Sequence, residues 1–407
     1  MSCVTYILVA LERTRLNHPR WHNGAMPAPT RVADALTRHP ELFRRAVTAT
    51  FTGLCPAAGV LIAQPAAHAD LPVACAWVLR NSAEQVSDYA AAVIRQLGCE
   101  HRRSSTDPAH YALFARALRA GLDAVAAEDD LEPADVAHAA HLLEHCCTLM
   151  RDAALAADAQ QLPPYIGGTV AQVERRCHRI SVIRVQADEP VAYPAGGALA
   201  VAGELDPGIW RTLCPAIPAN EFGQLEFHVP YSSPGADALI VAPKVGDRWR
   251  IAAPYQPIQL STDADLLLIS HGVGLAPLRA IAADVMLQAH PPRIHMFVGA
   301  DYPGELYDLM SLWHQAASAP YLSVTPVAAH EDDEWWVRPS EYSRPPRGLH
   351  LPQTGQAGEV AASYGTWEDR SIIIAGAAAD VAASSRALTA AGTPAARIQE
   401  LLLDERL

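Results

Sequence analysis

From Thr30 to about Ala159, apolar residues return every three or four positions and strand signals are missing for long stretches. Val86, Tyr89, Ala90, Val93, Ile94 and Leu97 form one stripe, and Ala112, Phe114, Ala115, Leu118, Leu122 and Val125 a second. A third runs from Val136 to Met150. A 3.6-residue period gathers each set on one helix face, which predicts an all-α domain over residues 30–160. The breaker-rich stretch Gln160-Gln-Leu-Pro-Pro, with Gly167-Gly168 beyond, predicts a linker over residues 161–177.

After His178 the pattern shortens. Ile180–Val185, Ala198–Val201, Leu225–Val229, Ala238–Val241 and Arg248–Ile251 read as short strands between Pro/Gly turns, a small antiparallel β-barrel over residues 178–260. From residue 261 to 407, buried-strand runs alternate with helical ones: Asp265–Ser270, Arg293–Gly299, Tyr321–Thr325 and Ser371–Gly376. That alternation predicts an α/β doubly wound parallel sheet, interrupted by a surface loop over residues 331–356. Within the loop, Trp335-Trp336 is expected to pack against the sheet rather than to face a partner. Residues 1–29, broken by Pro19, Gly24, Pro27 and Pro29, read as a loose extension in which Met26 offers a second start.

Composition narrows the function classes. A formal charge of −13 argues against nucleic acid or an anionic membrane as partner, since both require a basic face. Eight cysteines in 407 residues, with no CxxC, exclude a disulfide scaffold and an iron–sulfur cluster of the ferredoxin kind. The apolar run Val4–Leu11 is too short to span a bilayer and lacks the flanks of a signal peptide, so a cytoplasmic protein is expected. Oligomeric state is left open.

The sharpest chemical signal is His271-Gly-Val-Gly-Leu-Ala-Pro277, between a strand and a helix. Gly272 and Gly274 let backbone approach a pyrophosphate beside Val273, the helix N-terminus supplies free N–H groups, and Pro277 suits the first turn. A barrel followed by such a sheet resembles the ferredoxin–NADP reductase fold. The helical part adds Leu97-Gly-Cys-Glu-His101 and, ten residues on, Tyr111 in Asp107-Pro-Ala-His-Tyr. Together these resemble a flavohaemoglobin, in which a globin precedes the reductase module. Trp210-Arg211, Pro215-Ala216, Leu225–Val229, Val245–Arg250, Phe297–Ala300, Leu306–Asp308 and Ile372–Gly376 add matches in the family's order.

The resemblance implies NAD(P)H bound at Gly272, Val273, Gly274, Pro277 and Gly376, with Asp301 accepting the ribose 2′-hydroxyl and favouring NADH. It implies FAD near Trp210, Arg211, Cys214 and Gly235, and haem b with His101 as iron ligand beside Tyr111. The departures fall on the chemistry. Where the family has Arg-x-Tyr-Ser against the flavin, this chain reads Arg211-Thr-Leu-Cys214, and its Cys-Gly-Pro segment reads Ala375-Gly-Ala377. The family's last aromatic is replaced within Leu401–Leu403.

In the globin part no tyrosine lies between Val32 and Trp77, so Thr48 or a neighbour takes the oxygen-side position. Leu61 or Ile62 replaces the haem-packing phenylalanine, and Asp152, or no residue, stands for the proximal glutamate. The expected function is therefore electron transfer from NAD(P)H through FAD to a haem-bound diatomic ligand or another small acceptor, with nitric oxide dioxygenation not expected. Two alternatives stand beside it: a haem- or nucleotide-binding sensor or scaffold, and a haem-free reductase whose helical domain docks a partner.

Overall fold

The structure, a computed structural model, describes residues 28–56, 71–104, 106–204, 210–230, 243–255, 264–344 and 352–403. The sequence readings on Leu61, Ile62, Gly235 and the strand at 238–241, and most of the N-terminal extension, lie outside the described residues. The chain divides into two compact units, Met1–Pro164 and Tyr165–Leu407.

The first unit is built of helices, with one isolated antiparallel bridge, Ser82 to Val86, in a connection among its described residues. Its helices are α1 (Ala28–Arg38), α2 (Pro40–Leu54), α3 (Leu71–Arg80), α4 (Asp88–His101), α5 (His110–Asp129) and α6 (Pro133–Ala159). Each start and stop has a local cause. The Ser87 hydroxyl caps α4 by accepting from the Ala90 N–H, Pro133 opens α6 where its missing N–H costs nothing, and Asp130 ends α5 in the left-handed region at φ 48°. Most of each sequence stripe meets in one core with Leu36, Phe43, Val47 and Leu79, in which α2 packs on α5 and α4 on α6, while Tyr89 and Ala112 stay exposed. At the α4–α6 crossing, Gly98 lets the two backbones touch, because a Cβ there would collide with the Met150 carbonyl.

The second unit starts earlier than the sequence pattern suggests. The linker expected over residues 161–177 is mostly strand β1 (Ile166–Arg175). Gly167 and Gly168 are close approaches within the barrel and not breakers. A Cβ on Gly168 would stand 2.9 Å from both Ile251 Cδ1 and Val185 Cγ1, and one on Gly167 would strike the Asp188 carboxylate.

Strands β2 (Ile180–Ala187), β3 (Ala198–Gly203), β4 (Arg211–Leu213), β5 (Gln224–Pro230) and β6 (Arg248–Tyr255) complete a six-stranded antiparallel sheet in the order β4-β3-β6-β1-β2-β5. A bridge from Pro215 to Phe227, with the Ala216 N–H donating to the Glu226 carbonyl at 2.7 Å, brings the ends together into a nearly closed barrel. Inward residues such as Val170, Ile183, Phe227 and Trp249 fill it.

The parallel sheet has the order β10-β9-β8-β7-β11-β12. Its strands are β7 (Asp265–His271), β8 (Ile294–Ala300), β9 (Leu322–Ala328), β10 (Gln353–Thr354), β11 (Arg370–Gly376) and β12 (Ile398–Leu402). Alternation along β7 shows why helices are needed on both sides. Leu266 and Leu268 pack against α7 (Leu275–Val285) and α8 (Leu309–Ser318). Leu267 and Ile269 pack against α9 (Ala357–Ser363) and α10 (Ala378–Ala390). Two pieces escaped the periodicity: β10, inside the segment expected to be a surface loop, and β12, which holds the position where the family's last aromatic is replaced. Trp335 also departs from expectation, being 90% exposed, while Trp336 packs edge-on against His178 and Tyr302.

Candidate functional site: a glycine turn, a barrel strand and a buried histidine

In the parallel sheet the chain winds outward in both directions from β7 and β11, so the crevice for a ligand opens at their carboxyl ends. Gly272–Gly274 and Gly376 come together there. Gly272 adopts φ +52° as the chain leaves β7, and Gly376 adopts φ +154°, where a Cβ would lie 2.7 Å from that of His271. A side chain on Gly274 would collide with the Ala375 carbonyl. The turn thus needs its glycines for its own packing as well as for any pyrophosphate. The N-terminus of α7, with Pro277 in its first turn, faces the same crevice and fits an anion there. His271 points elsewhere: its Nε2 meets the Ser384 hydroxyl at 2.8 Å, and burial lowers its pKa.

Asp301 follows β8, at the position where dinucleotide folds carry a ribose-reading carboxylate. It already holds a partner, since Arg179 Nη1 lies 2.8 Å from Asp301 Oδ2.

Between barrel and sheet runs a buried charged seam that the sequence reading missed. Glu226 and His228, on the outer face of β5, are buried to 5% and 4% exposure. Arg184 Nε reaches Glu226 Oε2 at 2.7 Å, and Arg279 of α7 bonds the other carboxylate oxygen. His228 Nδ1 meets the Tyr307 hydroxyl at 2.8 Å. Asp308 then pairs with Arg279 at 3.4 Å and Arg176 at 3.1 Å, and Tyr342 lies 3.6 Å beneath the Arg176 guanidinium. Burial alone would raise the Glu226 carboxyl, but His228, Arg279 and Arg184 hold it well below the usual carboxylate range. Burial pushes the Tyr307 phenol well up, so it stays protonated. Strand alternation marks Glu226 and His228 as outward-facing; nothing in the linear pattern tells what covers them.

At β4, Leu213 belongs to the barrel core with Leu199 and Val201. Alternation then turns Thr212 and Cys214 the other way, so no side chain replaces the family's tyrosine directly. Cys214 is buried, which pushes its thiol up to about 12 and leaves it a neutral weak donor. An aromatic surface survives beside the strand, where Trp210 lies 6.2 Å from Tyr165 and the Arg250 guanidinium stands 4.8 Å over the Tyr165 ring. With Arg211 this gives cations and rings suited to a phosphorylated aromatic cofactor, though not the family's flavin-edge pair. The residues present fit FAD in its phosphates better than in its ring.

In the helical unit, His101 ends α4 and its Nδ1 meets the Tyr111 hydroxyl at 3.0 Å, the rings stacked 5.9 Å apart. Burial, with Arg103 adding, lowers the imidazole to about 4. The ring is neutral at pH 7, and among the described residues its Nε2 carries no hydrogen bond. A neutral imidazole with Nδ1 engaged and Nε2 open is the donor arrangement an axial haem ligand requires, so the proximal half fits the group. Asp152 does not replace the proximal glutamate; it is largely exposed and pairs with Arg151 at 2.8 Å. Tyr111 instead has the neutral thiols of Cys147 and Cys99 nearby, and burial raises its phenol.

A barrel joined to a doubly wound sheet in this order defines the fold of ferredoxin reductase-type FAD/NAD modules. The comparisons agree. The reductase component of phenol 2-monooxygenase from Pseudomonas sp. strain CF600 is 28% identical over 206 residues, which are 47% of this chain and 58% of that protein. The phenol hydroxylase P5 protein of Acinetobacter pittii strain PHEA-2 is 26% identical over 207 residues, 48% of this chain and 58% of that protein. The chain therefore spans under two thirds of the length of these curated relatives. No protein-family model matches it. Among solved structures, the flavohaemoglobin of Malassezia yamatoensis with bound FAD and haem superposes with a TM-score of 0.62 at 15% identity, over 94% of this chain and all of that one. At that identity the likeness is one of fold. The two relatives support an oxidoreductase of the NAD(P)H/FAD type. Among the described residues, no helix is long and apolar enough to cross a membrane.

Proposed function

We propose that the chain is an NAD(P)H-dependent flavin oxidoreductase whose helical unit holds haem on His101 as the internal electron acceptor. The observation that carries the reading is the glycine turn at Gly272–Gly274, set at the sheet's switch point beside Gly376 and backed by a barrel of the flavin-binding type. When bound, FAD would supply the splitting of one hydride's two electrons into single electrons, and haem a site that takes them one at a time. The chain's own residues position and tune. The first turn of α7 receives the nicotinamide pyrophosphate, Arg211 and Arg250 counter flavin phosphates, and the Tyr111 hydroxyl fixes the plane of the His101 ring. Asp301 favours NADH over NADPH.

With neutral thiols in place of a carboxylate behind Tyr111, the His101 ring gains little anionic character. This favours ligand binding or plain electron transfer over oxygen activation. The small-molecule acceptor is then a diatomic ligand on the haem.

A second reading, a haem-free reductase delivering electrons to a partner protein, draws on the names of the two relatives, both components of phenol-oxidising systems. Visible spectra of the full chain, produced with haem precursor and riboflavin, separate the two. Flavin bands bleached by NADH, with a Soret band lost in H101A, are expected. Flavin without a Soret band leaves the second reading, and a colourless protein sinks both.

A further inference from the structure

We propose that Arg179 and Asp301 form a cofactor-selecting pair at the adenosine end of the nicotinamide site, in which Asp301 reads the ribose 2′-hydroxyl and restrains Arg179, a latent receptor for a 2′-phosphate. The inference rests on the nicotinamide reading above and extends it to a residue from the other domain of the module.

Arg179 stands in the turn between β1 and β2, so the barrel, not the sheet, delivers it. Its Nη1 lies 2.8 Å from Asp301 Oδ2 and its Nε 3.1 Å from Glu305 Oε1. Arg179 and Asp301 are each about half exposed, at 51% and 54% of the side chain, whereas Glu305 is buried at 6%. The guanidinium is thus anchored from behind by Glu305, while its contact with Asp301 is open to a ligand.

The place of Asp301 is rigid. The Ala329 N–H donates to the Ala300 carbonyl at 3.0 Å and the His330 N–H to the Asp301 carbonyl at 2.9 Å, so β8 and β9 stay paired through it. Tyr302 then stacks on His330, 4.7 Å apart with 18° between planes. A carboxylate held at the end of the second strand of a dinucleotide fold is placed to accept from a ribose hydroxyl.

Charge decides the discrimination. One guanidinium is shared by two carboxylates, and the acidic run Glu331–Glu334 lies close by, with Asp333 accepting from the Gly304 N–H at 2.7 Å. A 2′-phosphate entering here meets an excess of negative charge while the only cation of the triad is engaged. Neutralising Asp301 reverses this, because Arg179 keeps its anchor on Glu305 and gains a free fork suited to phosphate.

The test is calorimetric titration of the full chain with NAD+ and with NADP+, a readout independent of turnover. The parent chain is expected to favour NAD+ by about tenfold or more, as like-charge juxtaposition dictates. D301N is expected to raise NADP+ affinity about tenfold while NAD+ affinity changes little, since Asn still bonds a hydroxyl. Adding R179Q to D301N is expected to cancel that gain, and R179Q alone to give none. If D301N leaves the NADP+/NAD+ ratio unmoved, or the double variant keeps the gain, Arg179 is no receptor and the proposal is overturned. If the parent chain binds neither dinucleotide, the nicotinamide reading falls, and the proposal with it.

Discussion

Single side chains make separable demands on pH. The folded chain holds His101 near 4, against ~6.5 for free imidazole. Between those values the unfolded chain binds a proton that the folded one refuses, so the helical unit loses stability as pH falls from 6.5 toward 4 and is indifferent above. In the haem-free chain, H101F should remove about 2 kcal/mol of that acid dependence, read from urea midpoints at pH 7 and pH 4.5. Glu226 works at lower pH. Its depressed carboxyl contributes stability that is complete above the unfolded value of ~4.3 and is lost as pH falls below it. E226Q should cost about 2–4 kcal/mol at neutral pH, with the gap to the parent closing on acidification through pH 4. A gap that stays constant with pH would show that packing, not charge, is what the substitution removes. The thiols give a third reading. Cys75, Cys146, Cys147 and Cys214 are buried, and burial pushes Cys146 and Cys214 to about 12. All four should resist a thiol reagent until the chain unfolds, whereas the half-buried Cys55 should react in the native state.

Among the elements of the helical unit, the α4–α6 crossing is sharply constrained. G98A would force its methyl into the Met150 carbonyl and should cost at least about 2 kcal/mol in the helical unit, with melting of the reductase unit unchanged by differential scanning calorimetry. The helices and the buried strands were legible because their apolar residues repeat at 3.6 or run unbroken, as in Val86–Leu97 and Asp265–Ser270. β1 was hidden for a physical reason: Gly167 and Gly168 have the look of a linker, yet they are bare because Asp188, Val185 and Ile251 crowd them. At the site, the glycine turn and the His101–Tyr111 pair could be read from spacing, since each depends on near neighbours in sequence. Arg179 with Asp301, and Glu226 with Arg279, could not. Those pairs join residues on different domains, and a linear pattern shows that a charge faces outward without showing what meets it.

On the scale of the whole second unit, the barrel buries Phe227 and Trp249 and the parallel sheet Leu268 and Phe297, while Cys177, Ile180 and Ala195 of the barrel segment share a buried cluster with Leu275 and Tyr307 of the sheet domain. Beside that apolar patch runs the ladder from Arg184 through Glu226, Arg279 and Asp308 to Arg176, with His228 on Tyr307 next to it. Parting that seam would hydrate charges and alkyl surface together, whose heat-capacity terms oppose each other, so its heat-capacity change per area exposed should be smaller than that of melting either domain. Separation of the two domains and global unfolding should therefore differ in the curvature of their temperature dependence.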